Sequence, residues 1–227
     1  MKCIVLLIIT AISLSATAQC WDINIFGSYT KPIEAIHGEG ILAKKELSSS
    51  GESLGIGATY MFNDRIGINA SFTFSSQYLM FKKISDINYR GYFVYDMNIV
   101  AKTNIVSFGD FTLYTKEGIV FSYFDGLPEV LGSSWRENPP NTYFTTTGTS
   151  YSDFSFGVSA GIGLSYLIKE RFMIDAFAIY VQGTNKLHNV TSLKVYQDGI
   201  QIGDAHGIIR GSSLRVGLGF GYRFNRK

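Results

Sequence analysis

Apolar and polar positions alternate most regularly in residues 214–224, which read L-R-V-G-L-G-F-G-Y-R-F. Side chains of a β-strand point to opposite faces in turn, so one face of this segment is continuously apolar and the other carries only glycine and arginine. The apolar face consists of Leu214, Val216, Leu218, Phe220, Tyr222 and Phe224. The pattern predicts a strand with one face against an apolar environment.

Seven earlier segments show the same alternation, each of strand length. The predicted strands are 21–29, 53–62, 65–74, 90–102, 111–124, 154–167, 171–181 and 214–224. A tetrapeptide of turn-forming residues, Phe62 to Arg65, joins the second and third strands. In the fifth strand, Lys116 and Glu117 are adjacent, so one of them faces outward unless a bulge intervenes.

The predicted connections alternate in length. Short ones lie at 63–64, 103–110 and 168–170, and long ones at 30–52, 75–89, 125–152 and 182–213. Transmembrane barrels of the outer-membrane type have an even number of antiparallel strands, short periplasmic turns and longer extracellular loops. We therefore expect an all-β protein, an eight-stranded antiparallel up-and-down transmembrane β-barrel. The pair Asp198-Gly199 predicts a hairpin that extends the final strands beyond the membrane.

The first 18 residues predict the export route. Lys2, an apolar stretch over 4–14 and the Ala16-Thr17-Ala18 site have the layout of a secretory signal peptide. The expected organisation is a signal peptide over 1–18 and a barrel domain over 19–227. Cys20 would be the single remaining thiol, which leaves no intramolecular disulfide. The alternative of a lipoprotein signal that acylates Cys20 is disfavoured by Gln19, where a small residue is required.

Composition is consistent with a barrel filled by side chains. The chain has 17 Phe, 14 Tyr, 24 Gly and 4 Pro, which excludes the disordered class, and its net charge of +2 argues against nucleic acid as a partner. The lumen of an eight-stranded barrel is just wide enough to be filled by side chains. Inward glycines would leave room for large residues of opposite strands. The expected inward polar network is Asp22, Arg90, Asp96, Asn98, Lys102, Asp175, Arg215 and Arg223.

The sequence offers little for catalysis or metal binding. His37, His188 and His206 all fall in predicted loops. Asp204 with His206 resembles an Asp/His pair of outer-membrane proteases, and His37-Gly38-Glu39 offers two metal ligands. None forms part of a recognisable hydrolase or metal motif. We therefore expect no catalytic residues, no metal site and no cofactor.

The signal peptide, the strand pattern and the ending G-x-G-x-G-Y-R-F at 217–224 carry a family resemblance. The chain resembles the small eight-stranded outer-membrane barrels, the group of outer-membrane proteins A, X and W. It is most similar to the short outer membrane protein beta-barrel domain proteins of the Bacteroidetes type of envelope. The resemblance covers residues 19–227. It implies location in the outer membrane, a monomer in contact with lipid and lipopolysaccharide, and recognition of Tyr222 and Phe224 by the barrel-assembly machinery. Asn225-Arg226-Lys227 follow where many members end on the aromatic residue.

The expected role is structural or interactive at the cell surface and non-enzymatic. Apolar residues at 78–81 and around Trp135 could bind an extracellular ligand, and Lys44-Lys45 and Lys82-Lys83 could meet lipopolysaccharide phosphates. The alternatives are a narrow pore for small solutes, a lipid-modifying enzyme that uses one of the histidines, and a soluble secreted β-sandwich.

Overall fold

A computed structural model describes residues 20–40, 47–81, 92–125, 142–150, 152–184 and 188–225. Within those ranges the description omits the side chains of 34–38, 40, 47–49, 78–81, 142–150, 188–193, 205, 207–209 and 225. The predicted signal peptide, Arg90, Trp135 and the two lysine pairs lie outside the described residues.

The described chain is almost entirely β-strand. The strands are β1 (Cys20–Gly40), β2 (Leu47–Met61), β3 (Ile66–Phe81), β4 (Tyr92–Phe108), β5 (Phe111–Asp125), β6 (Thr142–Ser150), β7 (Phe154–Ile168), β8 (Phe172–Gly183), β9 (His188–Gln197) and β10 (Ile200–Asn225). No helix in the described part of the chain is long and apolar enough to cross a membrane.

Eight of these strands form a closed ring, which confirms the predicted fold. Going round the ring, the order is β1-β2-β3-β4-β5-β7-β8-β10, and every neighbouring pair is antiparallel. The first and last strands close it, in a ladder that begins at Cys20 opposite Asn225. Closure leaves no unpaired strand edge within the ring, which is what a barrel in lipid requires.

β6 was not predicted, and β9 was predicted only as one arm of the Asp198-Gly199 hairpin, because both lie in segments that the sequence analysis assigned to loops. β9 pairs with Ile200–Ile209, the first part of β10, and β6 pairs with β9. β1 also continues along β10 as far as Gly40 opposite Gly203. The sheet therefore extends past the ring. An existing strand offers its backbone donors and acceptors to the next, so these polar segments form strands without the apolar alternation used for prediction.

The turns follow from their residues. Asn63 accepts hydrogen bonds through its Oδ1 from the backbone N–H groups of Arg65 and Ile66, both at 2.8 Å, which fixes the β2–β3 turn. The predicted hairpin at Asp198-Gly199 is confirmed, with φ of 50° and 81°, both in the left-handed region that two-residue hairpin turns require. The three short turns and the first residue of β1 lie at one end of the ring, called here the turn end; the opposite end is the loop end.

Candidate functional site: a filled lumen inside an apolar belt

The outer surface of the ring is an apolar belt. Exposed residues on it alternate with buried ones along β7 and β10, and Leu54 and Leu218 each expose 67% of their surface. A water-soluble protein rarely exposes a contiguous apolar area of this kind, whereas a barrel in lipid must. This arrangement disagrees with the soluble sandwich, whose apolar faces would pack on each other.

Aromatic rings border the belt at both ends. Towards the turn end Phe108, Phe111 and Tyr166 stack in a row, with centroid separations of 5.6 and 4.6 Å. Towards the loop end Tyr123 contacts both Tyr95 and Phe154, at 6.1 and 5.0 Å. Girdles of this type lie at the two interfaces of a membrane. They delimit the stretch of barrel that would cross the hydrocarbon.

Three large aromatic side chains fill the lumen, and each lies opposite a glycine in the neighbouring strand. The pairs are Phe26 with Gly55, Tyr114 with Gly163 and Phe177 with Gly217. A Cβ atom at any of the three glycines would overlap the ring of its partner. The inward glycines therefore do make room for large residues, but on adjacent strands rather than opposite ones. Pairing a glycine with a cross-strand aromatic covers the backbone that the glycine leaves bare.

A buried ion pair spans the lumen towards the loop end. The Arg215 Nη2 lies 2.6 Å from Oδ2 of Asp96, and the two side chains are 7% and 0% exposed. Ser122 donates a hydrogen bond to the other carboxylate oxygen of Asp96, and the Arg215 Nε donates to Ser213 Oγ at 3.3 Å. The carboxylate is thus paired through both oxygens, as a buried charge must be.

A second group surrounds Tyr114 in the middle of the barrel. The Lys102 Nζ lies 4.5 Å from the centre of the Tyr114 ring and the Lys116 Nζ lies 5.5 Å from it. The Tyr114 hydroxyl interacts with Asp175, which also accepts a hydrogen bond from Ser165. One carboxylate and two ammonium groups therefore share a single aromatic ring, and cation–π attraction holds the lysines inward.

A third pair lies near the turn end. Arg223 binds Asp22 through two parallel hydrogen bonds, Nε to Oδ1 at 2.8 Å and Nη2 to Oδ2 at 3.0 Å. The two residues are direct cross-strand partners in β1 and β10. This fork geometry ties together the two strands that close the ring.

The expected inward residues that the structure describes fall into three groups along the barrel axis. Asp96 and Arg215, Lys102 and Asp175, and Asp22 and Arg223 belong to separate groups, and Asn98 lies half-buried between the first two. The sequence analysis did not identify Tyr114, Ser122 or Ser165. The adjacent Lys116 and Glu117 obscured which face of β5 is inward, and that face carries both Tyr114 and Ser122.

Two cavities of very different size lie inside the described part of the barrel. A cavity of about 40 Å³ lies between the first and second groups, with Asn24, Asn98, Phe177 and Arg215 among its lining residues. Asn24 Oδ1 is buried and lacks a protein hydrogen-bond partner, so the cavity suits one to a few water molecules. A separate vestibule of about 380 Å³ at the turn end is lined by residues that include Lys102, Asp110 and Arg223.

The structure resolves the orientation of Lys116 and Glu117. β5 pairs without interruption on both sides at these residues, so no bulge intervenes. Lys116 lines the central cavity, and Glu117 faces outward onto the belt. One of the two adjacent charged residues does face outward, as the sequence predicted in the absence of a bulge. A carboxyl group therefore lies on the apolar surface.

The histidines lie in the extension beyond the ring. His37 and His206 are cross-strand partners, and Glu39 is the partner of Asp204. Among the side chains that the structure describes, no three of the histidine, cysteine, aspartate or glutamate type are grouped closely enough to hold a metal ion.

The two aromatic residues of the expected assembly signal lie at the turn end of β10. Tyr222 packs against Phe172 and Phe224, with centroids at 5.4 and 4.7 Å, and its hydroxyl accepts a hydrogen bond from the Arg171 Nη1 at 3.3 Å. Phe224 is 49% exposed on the outer surface.

No protein-family profile matches the chain, and no curated protein matches it. Solved structures do. The outer membrane protein OprG from Pseudomonas aeruginosa superposes with a TM-score of 0.53 at 14% sequence identity, over 93% of this chain and 99% of that one. The N-terminal β-barrel domain of OprF from Pseudomonas aeruginosa superposes with a TM-score of 0.46 at 13% identity, over 92% and 100%. The resemblance to small eight-stranded outer-membrane barrels is thus confirmed for the fold, which this chain shares.

Proposed function

We propose that this protein is an integral outer-membrane β-barrel with a closed lumen, and that it serves envelope structure or interaction at the cell surface, not catalysis. The apolar belt between two aromatic girdles supports the location. The observation that supports a closed lumen is the Arg215–Asp96 ion pair above the Tyr114 ring. Only a small cavity lies between the ion pair and the ring. The turn end then faces the periplasm and the loop end the exterior.

Conductance tests the closed lumen. Mature protein, refolded and inserted into planar lipid bilayers, should give no discrete ion-current steps. The vestibule of about 380 Å³ at the turn end is the observation that favours the alternative of a narrow pore. Reproducible current steps from the unaltered protein, lost on heat unfolding, would establish that pore and overturn the closed lumen.

Surface labelling tests the orientation. In a Cys20→Ser background, Asp198→Cys lies at the tip of the β9–β10 hairpin and Gly109→Cys lies in a turn at the other end. A membrane-impermeant maleimide should label the first in intact cells and the second only after the cells are broken. The reverse labelling result would show that the turn end faces the exterior and the loop end the periplasm.

The sheet extension supports the interaction role. It continues β1 and β10 past the ring and adds β6 and β9, so paired strands extend beyond the loop end of the barrel. The partners proposed are outer-membrane lipid, lipopolysaccharide and a ligand of the loops. Tyr222 and Phe224 are proposed as the contact for the barrel-assembly machinery, and the signal peptide over 1–18 as the export signal.

The enzyme alternative has a direct test. If the protein modifies lipid through a histidine, replacing His206 by Ala should abolish a lipid change that depends on the protein. Mass spectra of extracted lipids from cells with and without the protein should instead be identical.

A further inference from the structure

Glu117 lies near the middle of the apolar belt. Along β5 it is six residues from Phe111 and six from Tyr123, which belong to the two girdles. At about 3.3 Å per residue and a strand tilt of about 40°, each girdle is about 15 Å away along the membrane normal. Lys31 and Glu52 also carry charges on the outer face, but they lie beside Tyr29 towards the loop end of the belt, whereas Glu117 lies near its middle.

The outward residues around Glu117 are small or polar. Its cross-strand partners are Ala101 on β4 and Ala160 on β7, which are small. Next to them Thr103 and Thr115 face each other across β4 and β5, with their side chains on the same outer face. These five residues, called here the β5 patch, combine small side chains with polar ones near the middle of the belt.

Lipid hydrocarbon offers no hydrogen-bond partner to a carboxyl group, so an unpaired Glu117 is costly in lipid. Small residues on either side let another backbone approach closely, and polar side chains then bond across the contact, as in interfaces between membrane segments. The inward neighbour Lys116 cannot satisfy Glu117, because adjacent residues of a regular strand point to opposite faces.

We propose that the β5 patch is the contact between two copies of this protein in the membrane. A two-fold axis along the membrane normal through the patch puts Glu117 opposite Glu117 of the second copy at equal depth. The two carboxyl groups can then pair through a hydrogen bond, in which the O–H of one protonated carboxyl group donates to an oxygen of the other. In the described part of the chain the belt has no outward lysine or arginine at that depth, so a self-complementary acid pair fits better than a salt bridge between copies. This departs from the monomer expected from the sequence.

Cross-linking in bilayers tests the geometry of this contact. The full mature chain, in a Cys20→Ser background, is reconstituted at low protein-to-lipid ratio with Ile119→Cys next to the patch. The control is Ile25→Cys on β1, which lies opposite β5 in the ring and also faces outward, 58% exposed against 37% for Ile119. Oxidation should give a disulfide-linked dimer for the first and not for the second. Equal dimer yields from both, or none from either, would overturn the proposal.

Variants at Glu117 test its chemistry. Glu117→Leu should weaken dimerisation roughly five- to thirtyfold, the range expected for an interhelical polar contact in lipid, while Glu117→Gln keeps hydrogen-bonding capacity and most of the dimer. A shift in gel mobility between unheated and boiled samples shows that each variant is folded. Unchanged dimerisation of Glu117→Leu, or capture of a different membrane protein alone by Ile119→Cys in native membranes, would contradict self-association.

Discussion

Arg215 and Asp96 connect opposite walls of the barrel. They lie on β10 and β4, which are four steps apart in either direction around the eight-stranded ring, and their side chains meet at 2.6 Å across the lumen. Asp22 and Arg223, by contrast, lie on neighbouring strands, and Tyr114 and Asp175 lie only two strands apart. One ion pair therefore braces the cross-section of the barrel.

Replacing Arg215 by Ala should destabilise the barrel strongly. The change leaves the fully buried Asp96 carboxylate without its cation, and breaking a buried pair on one side costs about 3–5 kcal/mol. The free energy of unfolding in urea, measured in lipid vesicles, checks this.

The control is Arg171→Ala, which removes an exposed arginine bonded to the neutral Tyr222 hydroxyl and should cost less. A cycle with Asp96→Ala separates the pair energy from the unpaired charge, because the double variant should be more stable than Arg215→Ala alone. An unchanged unfolding midpoint for Arg215→Ala would mean that Arg215 is hydrated and not paired.

Gly163→Val should impair folding, because a Cβ at that position would overlap the Tyr114 ring. Overpacking of this kind costs about 1–3 kcal/mol. Combining it with Tyr114→Ala should recover part of the loss, since the added side chain then occupies the vacated space. Gly109→Val serves as the control for valine itself at a glycine with open space around it, although its φ of 60° adds backbone strain. Additive losses in the Gly163 and Tyr114 double variant would show that the two positions do not pack together.

Ile162→Arg should block or weaken assembly. Ile162 is half-exposed on the belt, and a lipid-facing cation near the midplane costs roughly 2–4 kcal/mol. Thr184→Arg, an exposed position at the loop end of β8, should be tolerated. Yields of heat-modifiable protein in the membrane fraction measure both. A silent Ile162→Arg would mean that this face of β7 does not meet lipid.

Asn63→Ala should cost about 1 kcal/mol, because it removes the acceptor for two backbone N–H groups in the β2–β3 turn. Asn63→Asp keeps the acceptor and should retain most of the stability. The unfolding midpoints of the two variants test this prediction. Equal losses of stability in both variants would show that the side-chain oxygen of Asn63 does not stabilise the turn.

The sequence predicted the ring strands because lipid on one side and a narrow lumen on the other impose strict alternation, as in β7 and the end of β10. It did not predict β6, and it predicted β9 only as one arm of the Asp198-Gly199 hairpin, because the pairing of both strands depends on the neighbouring strand rather than on a buried face. It selected Asp96 and Arg215 as inward but not as partners, since the stagger of the strands decides which residues share a level. Tyr114 was missed because the face of β5 is visible only once its register with β4 and β7 is known.

The ladder between β1 and β10 has a consequence for the order of events in folding. It pairs Cys20 with Asn225, so the barrel cannot close until the last strand of the chain is available to pair with the first. Contacts between such distant positions in a chain form slowly, and until they form the two terminal strands keep open edges that can pair with other molecules. We expect the exported chain to depend on a periplasmic chaperone between translocation and insertion, and chains shortened before β10 to be degraded.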